Sequence, residues 1–181
     1  MPVPAMPVPP TPRSPLALPG LFHIGWVVRD CVAAQQELSE RLGAGPFLSM
    51  GDESRFDAAL VHGKPVPVWL RIAFGRVGGP PGGVLLELLQ PLDDRSPHAQ
   101  FLAARGEGMH HLAFLVNDFD KQLSAASDSG LDRLIDGTGP GNPVRWVYLE
   151  GAGLHGTVIE LLERTPVAEA HFGPVLALLA S

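Results

Sequence analysis

Residues 111–118 read HLAFLVND, and residues 23–30 read HIGWVVRD. Position by position, both run histidine, aliphatic, small, aromatic, aliphatic, valine, polar, aspartate. A second pair follows in the same order: GVLLELLQ at 83–90 and GTVIELLE at 156–163, with Glu87 and Glu160 at matching points of an apolar run. One short match carries little weight, but two pairs in the same order within each half point to an internal duplication. The duplicated unit opens on a histidine and closes on a glutamate.

Local signals fill in the unit. His23 to Val28 has the composition of a strand. Asp30 then stands where a carboxylate caps a helix, which runs to about Leu42 and stops at Gly43. In the second half His111 to Val116 is a strand, Asp118 caps a helix, and the helix ends near Gly130. Strand-like segments follow each helix, at 47–50, 66–74 and 84–89 in the first half and at 133–136, 144–149 and 157–162 in the second. Each half is therefore β-α-β-β-β. The expected fold is α+β, two βαβββ modules forming a curved mixed sheet around a metal-binding cleft. The expected modules are 20–92 and 108–164, joined at 93–107 by a linker helix that opens at Ser96-Pro97. Residues 1–19 are rich in proline and are expected to form a flexible tail. Residues 165–181 are expected to form a C-terminal helical tail, broken by Gly173-Pro174 and packed on the body or on a neighbouring subunit.

The bulk properties exclude several function classes. The 181-residue chain is 45% hydrophobic and 18% charged, a mixture that supports a core. Its formal net charge of -6 argues against nucleic acid or an anionic membrane as the main partner. No apolar run is long enough to span a bilayer. The single cysteine, Cys31, excludes an intrachain disulfide and a cysteine-based zinc site, and suits a cytoplasmic protein.

Strand side chains alternate faces, so His23 shares a face with Gly25 and Val27, and His111 with Ala113 and Leu115. The small residue two positions on leaves room beside each imidazole. Glu87 shares its face with Leu85 and Leu89, and Glu160 with Val158 and Leu162. If a pseudo-twofold relates the halves, one histidine and one glutamate from each converge in a cleft. Two imidazoles and two carboxylates form a mixed nitrogen and oxygen set suited to Zn, Ni, Co, Fe or Mn. Such an ion would also neutralise two carboxylates whose burial alone would cost several kcal/mol or more. His110 is expected to point the other way and to be structural.

At these residues the sequence resembles the vicinal oxygen chelate superfamily, which includes glyoxalases, extradiol dioxygenases and bleomycin-resistance proteins. Within it the resemblance is closest to the methylmalonyl-CoA epimerases. It rests on ELLQPLDDRSPHAQFLAARGEGMHHLAF, residues 87–114, and extends over about residues 21–163. The resemblance implies paired βαβββ modules around a metal, with His23, Glu87, His111 and Glu160 as ligands and Glu160 as the catalytic base. It implies a metal-dependent epimerase, isomerase or lyase that removes a proton beside a metal-polarised carbonyl of a small-molecule substrate, with an acyl thioester of CoA or glutathione among the candidates. A homodimer is the expected assembly. The epimerases carry a second glutamate on the third strand of their first half, where this chain offers Leu70 or Arg71, and two-sided epimerisation needs an acid–base group on each face. Arg71 is a candidate contact for an anionic substrate group. Trp69 and Trp146 are candidate pocket walls, and His155 is a candidate substrate contact. Two other readings stay open: a non-catalytic small-molecule binder of the same fold, and an extradiol dioxygenase using His23, His111 and Glu160.

Overall fold

The computed structural model describes residues 16–79, 82–139 and 144–179. Most of the proline-rich tail, residues 1–15, lies outside the described residues. Strand β1 (His23–Val27) leads into α1 (Cys31–Leu42). The Asp30 carboxylate accepts hydrogen bonds from the Val32 and Ala33 amides at 2.8 and 3.0 Å, satisfying donors that the first turn leaves free. Gly43 ends the helix in the left-handed conformation, φ 64°, where a side chain would be strained. Four short strands follow: β2 (Leu48–Ser49), β3 (Ser54–Phe56), β4 (Leu60–Val61) and β5 (Lys64–Pro65). The long strands β6 (Val68–Val77) and β7 (Val84–Pro91) complete the first half.

Helix α2 (Pro97–Arg105) starts where Ser96 accepts the Ala99 amide at 3.2 Å with proline in the first turn. The second half comprises β8 (Gly108–Val116), α3 (Phe119–Asp128), β9 (Asp132–Thr138), β10 (Arg145–Glu150) and β11 (Val158–Glu163). Asp118 occupies the cap position of α3, but its side chain makes no capping bond. The start of α3 is held instead by Asp120, which accepts from the two terminal Arg145 guanidinium nitrogens at 2.8 and 3.2 Å. Arg145 also donates to Glu163 on β11.

Among the described residues all eleven strands join one mixed sheet, ordered β2-β6-β7-β1-β8-β11-β10-β9-β4-β5, with β3 paired to β6. The halves meet at the antiparallel pair β1–β8, and each of these strands has its own module's last strand as a parallel neighbour, β7 on one side and β11 on the other. This is the pseudo-twofold arrangement that the repeat predicts. The β4–β5 hairpin departs from it: first-half chain crosses over to pair with β9. The short segments at 54–65 escape sequence reading because strands of two or three residues show no measurable alternation.

Alternation sorts the sheet's two faces. Val28, Ala73 and Leu88 pack with Cys31 of α1, and Val147, Leu149, Ile159 and Leu161 pack with Phe119 and Ala126 of α3. The opposite face carries Val68, Leu70, Ile72 and Phe74 of β6, Leu85 and Leu89 of β7, and Trp146 and Tyr148 of β10. Helix α4 (Pro166–Ala177) closes over this face, burying Ala168, Phe172 and Val175. The expected break at Gly173-Pro174 does not occur, because Pro174 lies inside the helix. A proline there removes one backbone hydrogen bond, and buried Phe172 and Val175 on either side keep the helix docked. Among the described residues no helix is long and apolar enough to cross a membrane.

Candidate metal centre

The two repeat pairs meet at the centre of the sheet. Across the β1–β8 pair, His23 stands opposite Ala113 and Gly25 opposite His111, so each imidazole projects over the small residue of the other half. Gly25 is required there, since a methyl on it would overlap the His111 ring. Glu87 is next to Gly25 on β7, and Glu160 is next to Ala113 on β11. All four side chains are buried, His23 at 1% exposure, His111 at 0%, Glu87 at 8% and Glu160 at 6%.

The donor atoms converge. His23 Nε2 lies 3.2 Å from Glu87 Oε2 and 3.1 Å from Glu160 Oε2; His111 Nε2 lies 3.3 and 3.2 Å from the same oxygens. The two Nε2 atoms are 3.3 Å apart, and the whole set lies within 4.8 Å. Despite these separations neither carboxylate Oε2 receives an aligned hydrogen bond. Short contacts without alignment are expected when four lone pairs aim at one point between them. Ligands bonded at about 2.0–2.2 Å to one ion and set at right angles would be about 3 Å apart. The residues therefore fit a divalent ion, by chemistry and by spacing.

Without an ion the cluster balances its charges through protons. Burial works to lower the His23 pKa, but the charge of Glu87 and the contacts with Glu160 and Glu87 outweigh it and raise the value to about 9. His111 is raised in the same way, against its burial, chiefly by Glu160. Burial works to raise both carboxyls, and the two histidines overcome it and hold them below the usual carboxylate range.

His110 corrects the simple alternation. The β1–β8 register shifts between Gly25 and Trp26, so His111 and Met109 face successive β1 residues and His110 falls between them. Its buried ring packs against His98 and Phe101 of α2, and its Nδ1 lies 3.1 Å from Nδ1 of His111. Burial, with help from His98 and His111, lowers the His110 pKa to about 2, leaving a neutral ring. Neutral His110 Nδ1 can accept a hydrogen bond from His111 Nδ1–H, which directs the His111 Nε2 lone pair to the cluster.

Beside the cluster is a chamber of about 310 Å³, with Glu87 and Glu160 in its wall. Trp146 lines it, as do Tyr148 and His98, which sequence reasoning missed. Tyr148 is in register with Glu160, and its hydroxyl is 3.4 Å from His98 Nε2. Phe172 and His171 of α4 also line the chamber. Three expected substrate contacts are elsewhere. Arg71 and Trp69 alternate with the chamber residues Val68, Leu70 and Ile72 and so occupy the other face of β6. Arg71 donates to the Asp52 carbonyl at 3.2 Å and to Gln90 at 3.3 Å, and the Arg55 guanidinium lies 3.7 Å over the Trp69 ring. His155 is exposed in a left-handed turn, φ 51°, outside the chamber.

Comparison with known proteins agrees with this architecture. The uncharacterized protein YqjC of Bacillus subtilis (strain 168) is 37% identical over 92 residues, 50% of this chain and 64% of that protein, so the match spans under two thirds of the relative. Methylmalonyl-CoA epimerase from Mycobacterium tuberculosis has a similar structure, with a TM-score of 0.61 and 25% identity over 84% of this chain and 93% of that one. A methylmalonyl-CoA epimerase in complex with methylmalonyl-CoA and NH4+ gives 0.61 and 24% over 83% and 98%. BH1468 from Bacillus halodurans C-125 gives 0.58 and 22% over 81% and 94%. These likenesses are of fold. The sequence profile of one superfamily matches residues 22–148, most of both repeats, and the chain belongs to that family, the Glyoxalase/Bleomycin resistance protein/Dioxygenase superfamily.

Proposed function

We propose that the chain is a metal-dependent enzyme that moves a proton on the carbon beside a carbonyl, in an isomerase or lyase reaction on a small substrate presenting two neighbouring oxygens. His23, Glu87, His111 and Glu160 would hold one divalent ion from the group Zn, Ni, Co, Fe and Mn. When bound, that ion supplies Lewis-acid polarisation of the carbonyl, which acidifies the neighbouring C–H. Glu160 is assigned as the base on the family resemblance; its carboxylate, like that of Glu87, belongs to both the ligand cluster and the chamber wall, and Tyr148 stands in register beside it. The Tyr148 hydroxyl, backed by His98, is positioned to orient a substrate oxygen from the same wall. All four donors come from one chain, so the expected homodimer would not be needed to complete the site.

The observation that carries this reading is the set of five donor separations between 3.1 and 3.3 Å in a buried site. Leu70, on the chamber face of β6, supplies no second acid–base group. That favours removal and return of the proton on one face over two-sided epimerisation. The apolar chamber also suits a carrier without catalysis. Metal-loaded protein incubated in deuterium oxide with a panel of 2-hydroxy ketones and acyl thioesters separates the two. Deuterium enters the carbon beside the carbonyl with wild type and not with Glu160→Gln. Exchange undiminished in Glu160→Gln removes the base from this residue, and no exchange in wild type favours the carrier.

A further inference from the structure

We infer that the molecule taken into the chamber carries a small, uncharged, apolar body on its pair of oxygens, that conjugates of CoA or glutathione are not its ligands, and that the C-terminal helix α4 sets this preference. The inference deepens the metal-site reading above and rests on it.

Three observations carry it. The first is size. At about 310 Å³ the chamber is at the lower end of the roughly 300–1,000 Å³ typical of small-molecule sites, enough for a ring or a short branched chain. The second is charge. Among the described residues no lysine or arginine lines the chamber, whereas Glu87 and Glu160 sit in its wall and Glu53 at its exposed rim. The phosphates of CoA and the carboxylates of glutathione call for arginine or lysine. The cation beside the rim, Arg55, is stacked over Trp69 and paired with Glu53 at 3.4 Å. With an ion compensating Glu87 and Glu160, an anionic body would still meet no lysine or arginine in the wall.

The third is the apolar wall, to which α4 contributes. Phe172 packs edge-on against Phe22 at 5.3 Å and Phe74 at 6.4 Å, and Phe74 packs in turn against His23 at 5.3 Å. One ring thus separates the helix from a candidate ligand. Thr165 caps α4 two residues after β11 ends, accepting the Ala168 amide at 3.1 Å. The position of this wall is tied to the strand that carries Glu160. The helix lies beyond residues 22–148 that match the superfamily profile, as does β11 with Glu160.

Hydroxamates, which present two oxygens to a metal on a body of choice, test this by titration calorimetry with metal-loaded protein. Benzohydroxamate should bind at least about tenfold more tightly than acetohydroxamate, because its ring leaves water for the apolar wall. 4-Carboxybenzohydroxamate should bind at least about tenfold more weakly than benzohydroxamate, because its charge is desolvated without a partner. Neither acetyl-CoA nor S-methylglutathione at about 1 mM should displace benzohydroxamate, given the missing cations. Phe172→Ala, and Phe172→Leu as the variant that keeps the core filled, should each reduce the benzo-over-aceto preference several-fold at unchanged metal content. Tight binding of the carboxylated compound, displacement by either conjugate, or an unchanged preference in both Phe172 variants overturns the inference. Hydroxamates that bind without preference overturn it and leave the metal site standing, whereas a protein that takes up no metal overturns both.

Discussion

Raising the pH should destabilise the metal-free protein and leave the metal-loaded protein nearly unaffected. The reasoning turns on His23, whose pKa is raised from 6.5 to about 9 because the carboxylates of Glu87 and Glu160 outweigh the penalty of burial. A pKa raised by folding contributes stability that is fully present below the unfolded value, near 6.5, and is lost as pH climbs through about 9. For a fully buried ring that difference corresponds to about 3 kcal/mol. In a chain of this size it is a fall in Tm of about 6–12 °C. His111 is raised as well and adds in the same direction. Glu87 and Glu160 are held low, so their contribution is present above about pH 4.5 and lost only in acid, outside this window. An ion takes over the role of the protons, so its binding releases them, and metal affinity should rise about tenfold per pH unit for each proton released, with the His23 share persisting up to about pH 9. Thermal melts of chelator-treated and metal-loaded protein at about pH 6.5, 8 and 10 measure the first effect, and calorimetry in buffers of different ionisation enthalpy measures the second. A metal-free Tm that stays level or rises over this range, with metal affinity independent of pH, would refute the protonated-cluster account.

Two substitutions probe the geometry. Gly25→Ala should lower metal affinity by about tenfold or more while far-UV circular dichroism stays that of wild type, because the new methyl displaces the His111 ring rather than the strands. Competition with a chelating dye reads this, and unchanged affinity would mean that the ring yields freely. Trp69→Phe and Arg71→Gln should leave benzohydroxamate affinity within about twofold of wild type, since both residues lie on the far face of β6. A tenfold loss in titration calorimetry would place them at the chamber after all.

The centre of the sheet was legible because two independent regularities coincide there. The repeat pairs His23 with His111 and Glu87 with Glu160, and the two-residue period of a strand puts each on the same face as its small or apolar neighbours. Burial then explains why only a charge-compensated cluster can stand at that point. Period-two reading also places Leu70 and Arg71 on opposite faces, but not which face holds the cleft, because Trp69 and Arg71 are bulky enough to line one. The register with β7 decides it: Phe74 is opposite Glu87, so Leu70 and Ile72 share the chamber side. His110 stays outside the donor set, in keeping with the structural role expected of it, but the register shift beside Gly25 suspends the alternation for one residue and its ring packs against His98 and Phe101 of α2. Tyr148 carried a usable signal, two positions after Trp146 and on the same face. Phe172 and His98 carried none, since their approach to the chamber depends on how α4 and α2 dock, which no local pattern encodes.

The most direct test of the metal centre is elemental analysis of protein exposed to divalent metals and then freed of unbound ions. Wild type should retain about one ion per chain, and His111→Ala should lose most of it while remaining folded. Full stoichiometry retained in both His111→Ala and Glu160→Gln, or no retained ion in wild type, would contradict a centre built from these four side chains.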